Sequence, residues 1–304
     1  MTAAREKLRG YLAVTAAATL WGVSGVVAKS LFNRQVEPWT VIEIRLTGAF
    51  AVLLAALALR RHRLRVGGPQ LARLALFGAV MASTQFLYYF TISVTDVSTA
   101  IFLQYTAPVF VALYGWAFEH EPLGALKSAA IGLALAGSYF LVTGGAGIRV
   151  SGLGLTTGIL SAVAFGVYSI LGRGRVRQVG TTTSLLYALG TGALLWSVIV
   201  PPWKAYAGHG AAEWALFGFI IVFATILPFW LFLAGLRTIS SSAASLTATF
   251  EPVVGSAAAF LILGERLGSG QIMGGLAIAA AVMLIQIADV RTAGTEAVMP
   301  PAPD

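Results

Sequence analysis

The sequence contains no cysteine. That removes disulfide frameworks, thiol nucleophiles and thiolate metal sites. Charge is scarce as well. Only 11% of residues are Asp, Glu, Lys or Arg, against about 25% in an average soluble domain. Histidine occurs at His62, His120 and His209 alone, all in polar segments between apolar runs. Gly22-Val-Ser24-Gly25 has the look of an intramembrane serine nucleophile, but no buried histidine is there to act as its base. His120-Glu121 lacks the second histidine of a helical zinc site, and Gly144-Gly-Ala-Gly147 follows no strand, which excludes a dinucleotide-binding fold. There is no Walker-type lysine loop. These absences predict no enzyme activity, no metal and no cofactor.

What the sequence has is apolar length. Hydrophobic residues make up 58% of it, so a lipid bilayer must cover much of its surface. A crossing of about 30 Å needs about 20 apolar residues at 1.5 Å each. Runs of that length lie near 11–31, 39–59, 71–93, 98–118, 125–143, 153–172, 181–201, 213–235, 242–263 and 268–288. The first is too long for a secretory signal and is read as a retained helix. The fold class expected is an all-α integral membrane protein with ten transmembrane helices.

The net charge of +8 does not point to nucleic acid, because the basic residues sit in short clusters between spans. Their sidedness sets orientation. Arg5, Lys7, Arg9, Arg60, Arg61, Arg63, Arg65, Arg173, Arg175 and Arg177 fall on the side of the N-terminus. The other side carries Lys29, Arg34, Arg149, Lys204 and Arg266. The expectation is a bacterial inner (plasma) membrane protein with both termini cytoplasmic.

The chain also repeats itself. Tyr105-Thr-Ala-Pro108-Val corresponds to Phe250-Glu-Pro252-Val around the proline, 144 positions on. Glu121-Pro-Leu-Gly124 corresponds to Glu265-Arg-Leu-Gly268, and Thr47-Gly48-Ala49 to Thr191-Gly192-Ala193, at the same offset. Trp21-Gly22-Val23 corresponds to Phe165-Gly166-Val167. The organisation expected is a cytoplasmic segment 1–10, a five-helix repeat 11–147, a second 148–288, and a disordered tail 289–304. Five spans per repeat invert the second half in the membrane. Inverted halves are a transporter signature, because they can expose a midplane site to either side in turn.

These residues resemble the EamA-type branch of the drug/metabolite transporter superfamily. The resemblance runs from about Leu12 to Ile287. Its most specific parts are Ala107-Pro108 through Glu121-Pro-Leu-Gly124, then Phe250-Glu251-Pro252-Val with Leu263-Gly-Glu265-Arg-Leu-Gly268. It implies two repeats, export or exchange of metabolites such as amino acids, and a cavity lined by helices 1, 3, 4, 6, 8 and 9. Four-helix multidrug relatives carry an essential glutamate in helix 1. No acid stands in that span here, so their coupling scheme does not transfer.

Charges inside a membrane are costly and are functional candidates. Glu251, deep in the ninth span, is a candidate for binding a proton or a cationic group; the architectural alternative is satisfying donors near the Pro252 kink. Lys29, Glu43 and Arg45 lie near the outer ends of helices 1 and 2. They read either as an ion pair between Lys29 and Glu43 or as side chains snorkelling to headgroups. Glu121 and Glu265 read as helix-start acids, and Asp96 as a solvated helix-end acid. Ser128, Gly132 and Ala136, with Gly275 and Ala279, read as close helix packing.

In the helices that the resemblance places around a cavity, the polar and aromatic side chains are Trp21, Ser24, Gln85, Tyr88, Tyr89, Gln104, Tyr105, Tyr168, Trp230, Thr249 and Phe250. They are candidates for substrate contact; interhelical packing is the alternative. Phosphorylated solutes call for clustered Arg or Lys, which the spans lack. A small neutral or zwitterionic metabolite is therefore the expected partner, with protons as candidate coupling ions. Multidrug transport and a passive scaffold remain alternatives, and a monomer and a homodimer are both compatible.

Overall fold

The computed structural model describes residues 2–61, 66–95, 97–145, 147, 150–264 and 266–296. His62, Arg63, Arg65, Asp96, Arg149 and Glu265 lie outside the described residues, so their expected roles do too. Among the described residues every regular element is a helix. Ten are long and apolar enough to cross a membrane. Hydrocarbon offers no water to a polar backbone, and a helix satisfies its N–H and C=O groups internally.

The spans are α1 (Thr2–Phe32), α2 (Pro38–Leu59), α3 (Gly68–Val94), α4a (Val97–Gln104) with α4b (Ala107–Phe118), α5 (Ala125–Thr143), α6 (Gly152–Val179) and α7 (Thr181–Ile199). Then come α8 (Ala211–Phe219, Ile220–Ile226 and Leu227–Gly235), α9a (Ser241–Ala248) with α9b (Glu251–Leu263), and α10 (Ser269–Glu296). Ends are marked by ordinary signals. Pro38 opens α2, the Ser151 hydroxyl accepts from Gly154 N at 3.1 Å, and α5 stops at Gly144 with φ 63°, a left-handed conformation that glycine adopts without a Cβ penalty.

Two ends depart from expectation. α1 begins well before its apolar run, and α10 continues to Glu296 through the start of the segment expected to be disordered; residues 297–304 lie outside the described residues. The polar ends support one another. The Tyr11 hydroxyl donates to Asp289 Oδ2 at 2.6 Å, and Lys7 Nζ donates to the Asp289 carbonyl at 3.3 Å.

Packing follows the repeat. α1 lies against α8 and α9b, and its counterpart α6 lies against α3 and α4. α2 packs on α7 and α5 on α10, each pair being one helix and its own counterpart. An axis between these pairs relates the halves, and with five spans per half it lies in the membrane plane.

Glycines set the closest approaches. A Cβ on Gly22 would fall 2.6 Å from the Glu251 carbonyl and 2.8 Å from Gly255 N, so α1 can meet α9b this closely only through glycine. Its counterpart Gly166 faces Val111 of α4b. Between α5 and α10 the crossing is made by Gly137 and Gly274, beside buried Ala130, Ala134 and Ser138. The expected stripe Ser128, Gly132 and Ala136 is exposed instead, and a Cβ on Gly132 would meet nothing. Four-residue spacing alone left two candidate faces, and the structure uses the other.

Candidate functional site

The site is built on two helix breaks. The fourth span leaves helical geometry at Tyr105–Thr106 and the ninth at Thr249–Phe250, 144 positions apart. Proline has no N–H and its ring clashes with the carbonyl four residues earlier. For Pro108 and Pro252 those residues are Gln104 and Ala248, the last residues of α4a and α9a. Threonines at the breaks bond nearby carbonyls: Thr106 Oγ1 donates to Leu103 O at 2.7 Å and Thr249 Oγ1 to Leu246 O at 2.6 Å.

Beyond the breaks the two spans behave differently at the two faces. Toward the face that carries the termini, α4b and α9a pack together, and Ser242 Oγ donates to Val111 O at 3.4 Å. All of Ser241–Ala248 is buried. Toward the opposite face, α4a and α9b are not a packed pair among the described residues; α4a rests on α3, α5 and α6, and α9b on α1, α5 and α10. The packed end is fastened in the loop before α5. Glu121 accepts from Lys127 Nζ at 2.7 Å and from Ser242 Oγ at 3.1 Å, and Arg173 of α6 lies 4.0 Å away while pairing with Glu119 at 3.1 Å. Burial pushes the Glu121 carboxyl up, but Lys127 and the Ser242 and Ser240 hydroxyls outweigh it and hold it below the usual carboxylate range. Glu121 is thus a tie between loop and α9a rather than the helix-start acid expected, because α5 begins only at Ala125.

At the breaks five side chains come together from α2, α3, α4 and α9. Glu251 is the first residue of α9b, where the positive end of the helix dipole favours a carboxylate. The Tyr105 hydroxyl is directed at its carboxyl, and the Arg45 guanidinium acts on it. Tyr89 contacts Arg45, and Tyr88 lies beside Tyr89 and within the field of Glu251. None of the five is fully buried. One basic group, one acid and three phenols therefore face the interior.

Arg45 lies within the second span near its start, as expected, and its partners stand in another span. Its Nε donates to Thr225 Oγ1 at 3.1 Å and its Nη2 to Ala224 O at 3.1 Å. Both acceptors belong to a π-helical segment, Ile220–Ile226, which sequence reasoning missed. The usual α-helical donor to Ala224 O would be the N–H of residue 228, and residue 228 is proline. A proline four residues after a carbonyl, with an arginine in a neighbouring span, was the available signal.

The remaining candidates scatter. Glu43 does not snorkel. It is 0% exposed, and its Oε1 accepts from Ser197 of α7 at 2.8 Å, while Lys29 is exposed. Ser24 donates to its own helix at Leu20 O. Trp21 packs on Phe229 and Phe232, with centroids 5.1 and 5.7 Å away, and Tyr168 stacks on Phe77 at 4.9 Å. These two belong to an aromatic layer in the core. Trp230 is 38% exposed and donates to Thr182. Thr249 is buried at the break, and Phe250 packs beside Leu141 and Ile278. Gln85 and Gln104 are partly buried. A separate cavity of about 350 Å³ opens at the face away from the termini, lined in part by Arg34, Glu37, Lys204, His209 and Glu213.

The profile of the EamA-like transporter family matches residues 8–143 and again 152–287. The second match is the first shifted by 144 positions, the offset that relates the two breaks.

The chain belongs to the EamA-like transporter family.

It is therefore a multi-pass membrane transporter rather than an enzyme. The inner membrane transporter YicL of Salmonella typhimurium is 29% identical over 94% of this chain and 97% of its own. The threonine/homoserine exporter RhtA of the same species is 26% identical over 84% of each chain. A solved crystal structure at 19% identity superposes with a TM-score of 0.78 over 93% of this chain and 98% of its own. At that identity the likeness shows the fold alone.

Proposed function

We propose that this EamA-family protein is a secondary exporter of small neutral or zwitterionic metabolites, amino acids first. It sits in the bacterial inner membrane with both termini cytoplasmic. The carrying observation is the cluster at the two breaks: a single arginine, a single carboxylate and three tyrosine hydroxyls, overall near neutral, at the meeting of the two halves. Such a site suits a solute that is polar without net charge. Phosphorylated solutes would need several cations there. The name of the RhtA relative points the same way.

Alternating access supplies the motion. The α4b–α9a contact closes the terminal face in this structure, and its two-fold counterpart would be an α4a–α9b contact closing the other. Rocking of the halves exchanges the two. Glu251, the cluster's carboxylate, is the residue we assign to coupling a proton to that exchange.

The test is flux. Purified protein in liposomes is loaded with unlabelled L-threonine and offered labelled L-threonine, with and without a pH gradient. Counterflow is expected, with gradient-dependent accumulation that Glu251→Gln abolishes. Counterflow of drugs or of other metabolites in its place would overturn the amino-acid assignment. Gradient dependence that survives in Glu251→Gln would overturn the proton role.

A further inference from the structure

Arg45 is the cluster's only cation, and its position is fixed by an unusual device. A charged side chain inside a membrane span is expensive unless it is partnered. Here the partners are supplied by the backbone of another span. Pro228 removes the donor that would occupy Ala224 O. The Ile220–Ile226 segment adopts π geometry, in which Thr225 Oγ1 donates to Ile220 O at 2.9 Å and is left as an acceptor for Arg45 Nε at 3.1 Å. Nη2 takes the freed Ala224 O. Two donors are used to hold the fork, so the guanidinium arrives oriented, with further N–H groups to offer. Its other neighbours are Tyr89 and the field of Glu251.

We propose that Arg45 and Glu251 are the two poles of a dipolar receptor, Arg45 taking the substrate carboxylate and Glu251 its ammonium group, with Thr225 as the positioning residue that fixes Arg45. This rests on the transport of small polar metabolites set out above and names how they are read. Substrate classes follow from it. A molecule with both an amine and a carboxylate satisfies both poles. One lacking either charge leaves a desolvated pole facing nothing, which costs more than the lost contact itself. The side chain of the substrate then meets Tyr88, Tyr89 and Tyr105, which tolerate varied shapes.

The test measures competition against labelled L-threonine counterflow. The probes are L-threonine, 1-amino-2-propanol, which lacks the carboxylate, and 3-hydroxybutanoate, which lacks the amine. The wild type should prefer L-threonine over either by about 30-fold or more. Arg45→Gln should erase the preference over the amine and keep that over the acid; Glu251→Gln should do the reverse. Thr225→Val should raise the apparent KM for L-threonine about 10-fold or more, the effect of one lost hydrogen bond to a charged group, leave inhibition by 1-amino-2-propanol unchanged, and be rescued by Thr225→Ser. If Arg45→Gln does not fold, the Thr225 pair carries the test. Threonine counterflow with unchanged preferences in these variants would overturn the dipolar receptor and leave the transport assignment standing. No flux of any probe by folded wild-type protein would overturn both.

Discussion

The two repeats share a skeleton and differ in chemistry. Both break a helix two residues ahead of a proline, and both seat a glycine of the first helix of one repeat against the broken helix of the other, Gly22 on α9b and Gly166 on α4b. The charges of the cluster do not repeat. Arg45 corresponds to Leu189, which is fully buried, and Glu251 corresponds to Ala107. Span α3 is one continuous helix, whereas its counterpart α8 carries Pro228 and the π-helical segment. On the proposed reading, symmetry builds the scaffold that rocks, and departures from symmetry mark where the solute is read. A duplicated fold thus separates the two kinds of residue, because those serving architecture have to work in both halves.

The comparison can be broken at its charges. Removing the asymmetry with Arg45→Leu and Glu251→Ala together should abolish counterflow, by about 100-fold or more. Either change alone should be worse for stability than both, because one leaves a buried charge without its opposite. Thermal unfolding of the three variants in detergent checks that order.

The skeleton should respond next. Gly22→Ala forces a Cβ into backbone atoms of α9b and should destabilise by about 1–3 kcal/mol. Gly166→Ala meets a valine methyl group at 3.1 Å, which can shift, and should cost less. Gly132→Ala points into open space and should be neutral or slightly stabilising. Equal losses at Gly22 and Gly132 would remove the argument for a glycine-mediated crossing.

The last effect belongs to the loop tie, and it depends on pH. Glu121 has a folded pKa below its ordinary value of 4.5, so it stabilises above that pH and the contribution is lost as pH falls through the folded value. Glu121→Gln should lower stability at pH 7 by about 1.5 kcal/mol. The gap to wild type should narrow as pH falls below 4.5 and close once it has passed the folded value.

The spans, the inverted repeat and the family were legible because they rest on long apolar runs and on spacing, which survive averaging over many residues. The breaks were half legible. Pro108 and Pro252 mark them, while the packing of α4b on α9a is a long-range fact. Within the site, Glu251 and the three tyrosines of the cluster stood out as polar groups in apolar spans. Arg45 was visible but its partners were not, since they lie about 180 residues away, at Thr225. Trp21 and Tyr168 look identical to site aromatics in sequence. Only packing shows that they fill the core with Phe77, Phe229 and Phe232.

The central claim is that the two faces open in turn around the breaks. The native chain has no cysteine, so paired labels can be introduced without background. One pair spans the open face, Phe102→Cys with Leu261→Cys, and another spans the closed face, Phe118→Cys with Arg237→Cys. Spin-label distances in liposomes, with and without L-threonine, are the measurement to make. The account predicts two populations for each pair, shifting in opposite directions, so that the first pair shortens as the second lengthens. Fixed distances in both pairs, or movement in the same direction, would contradict it.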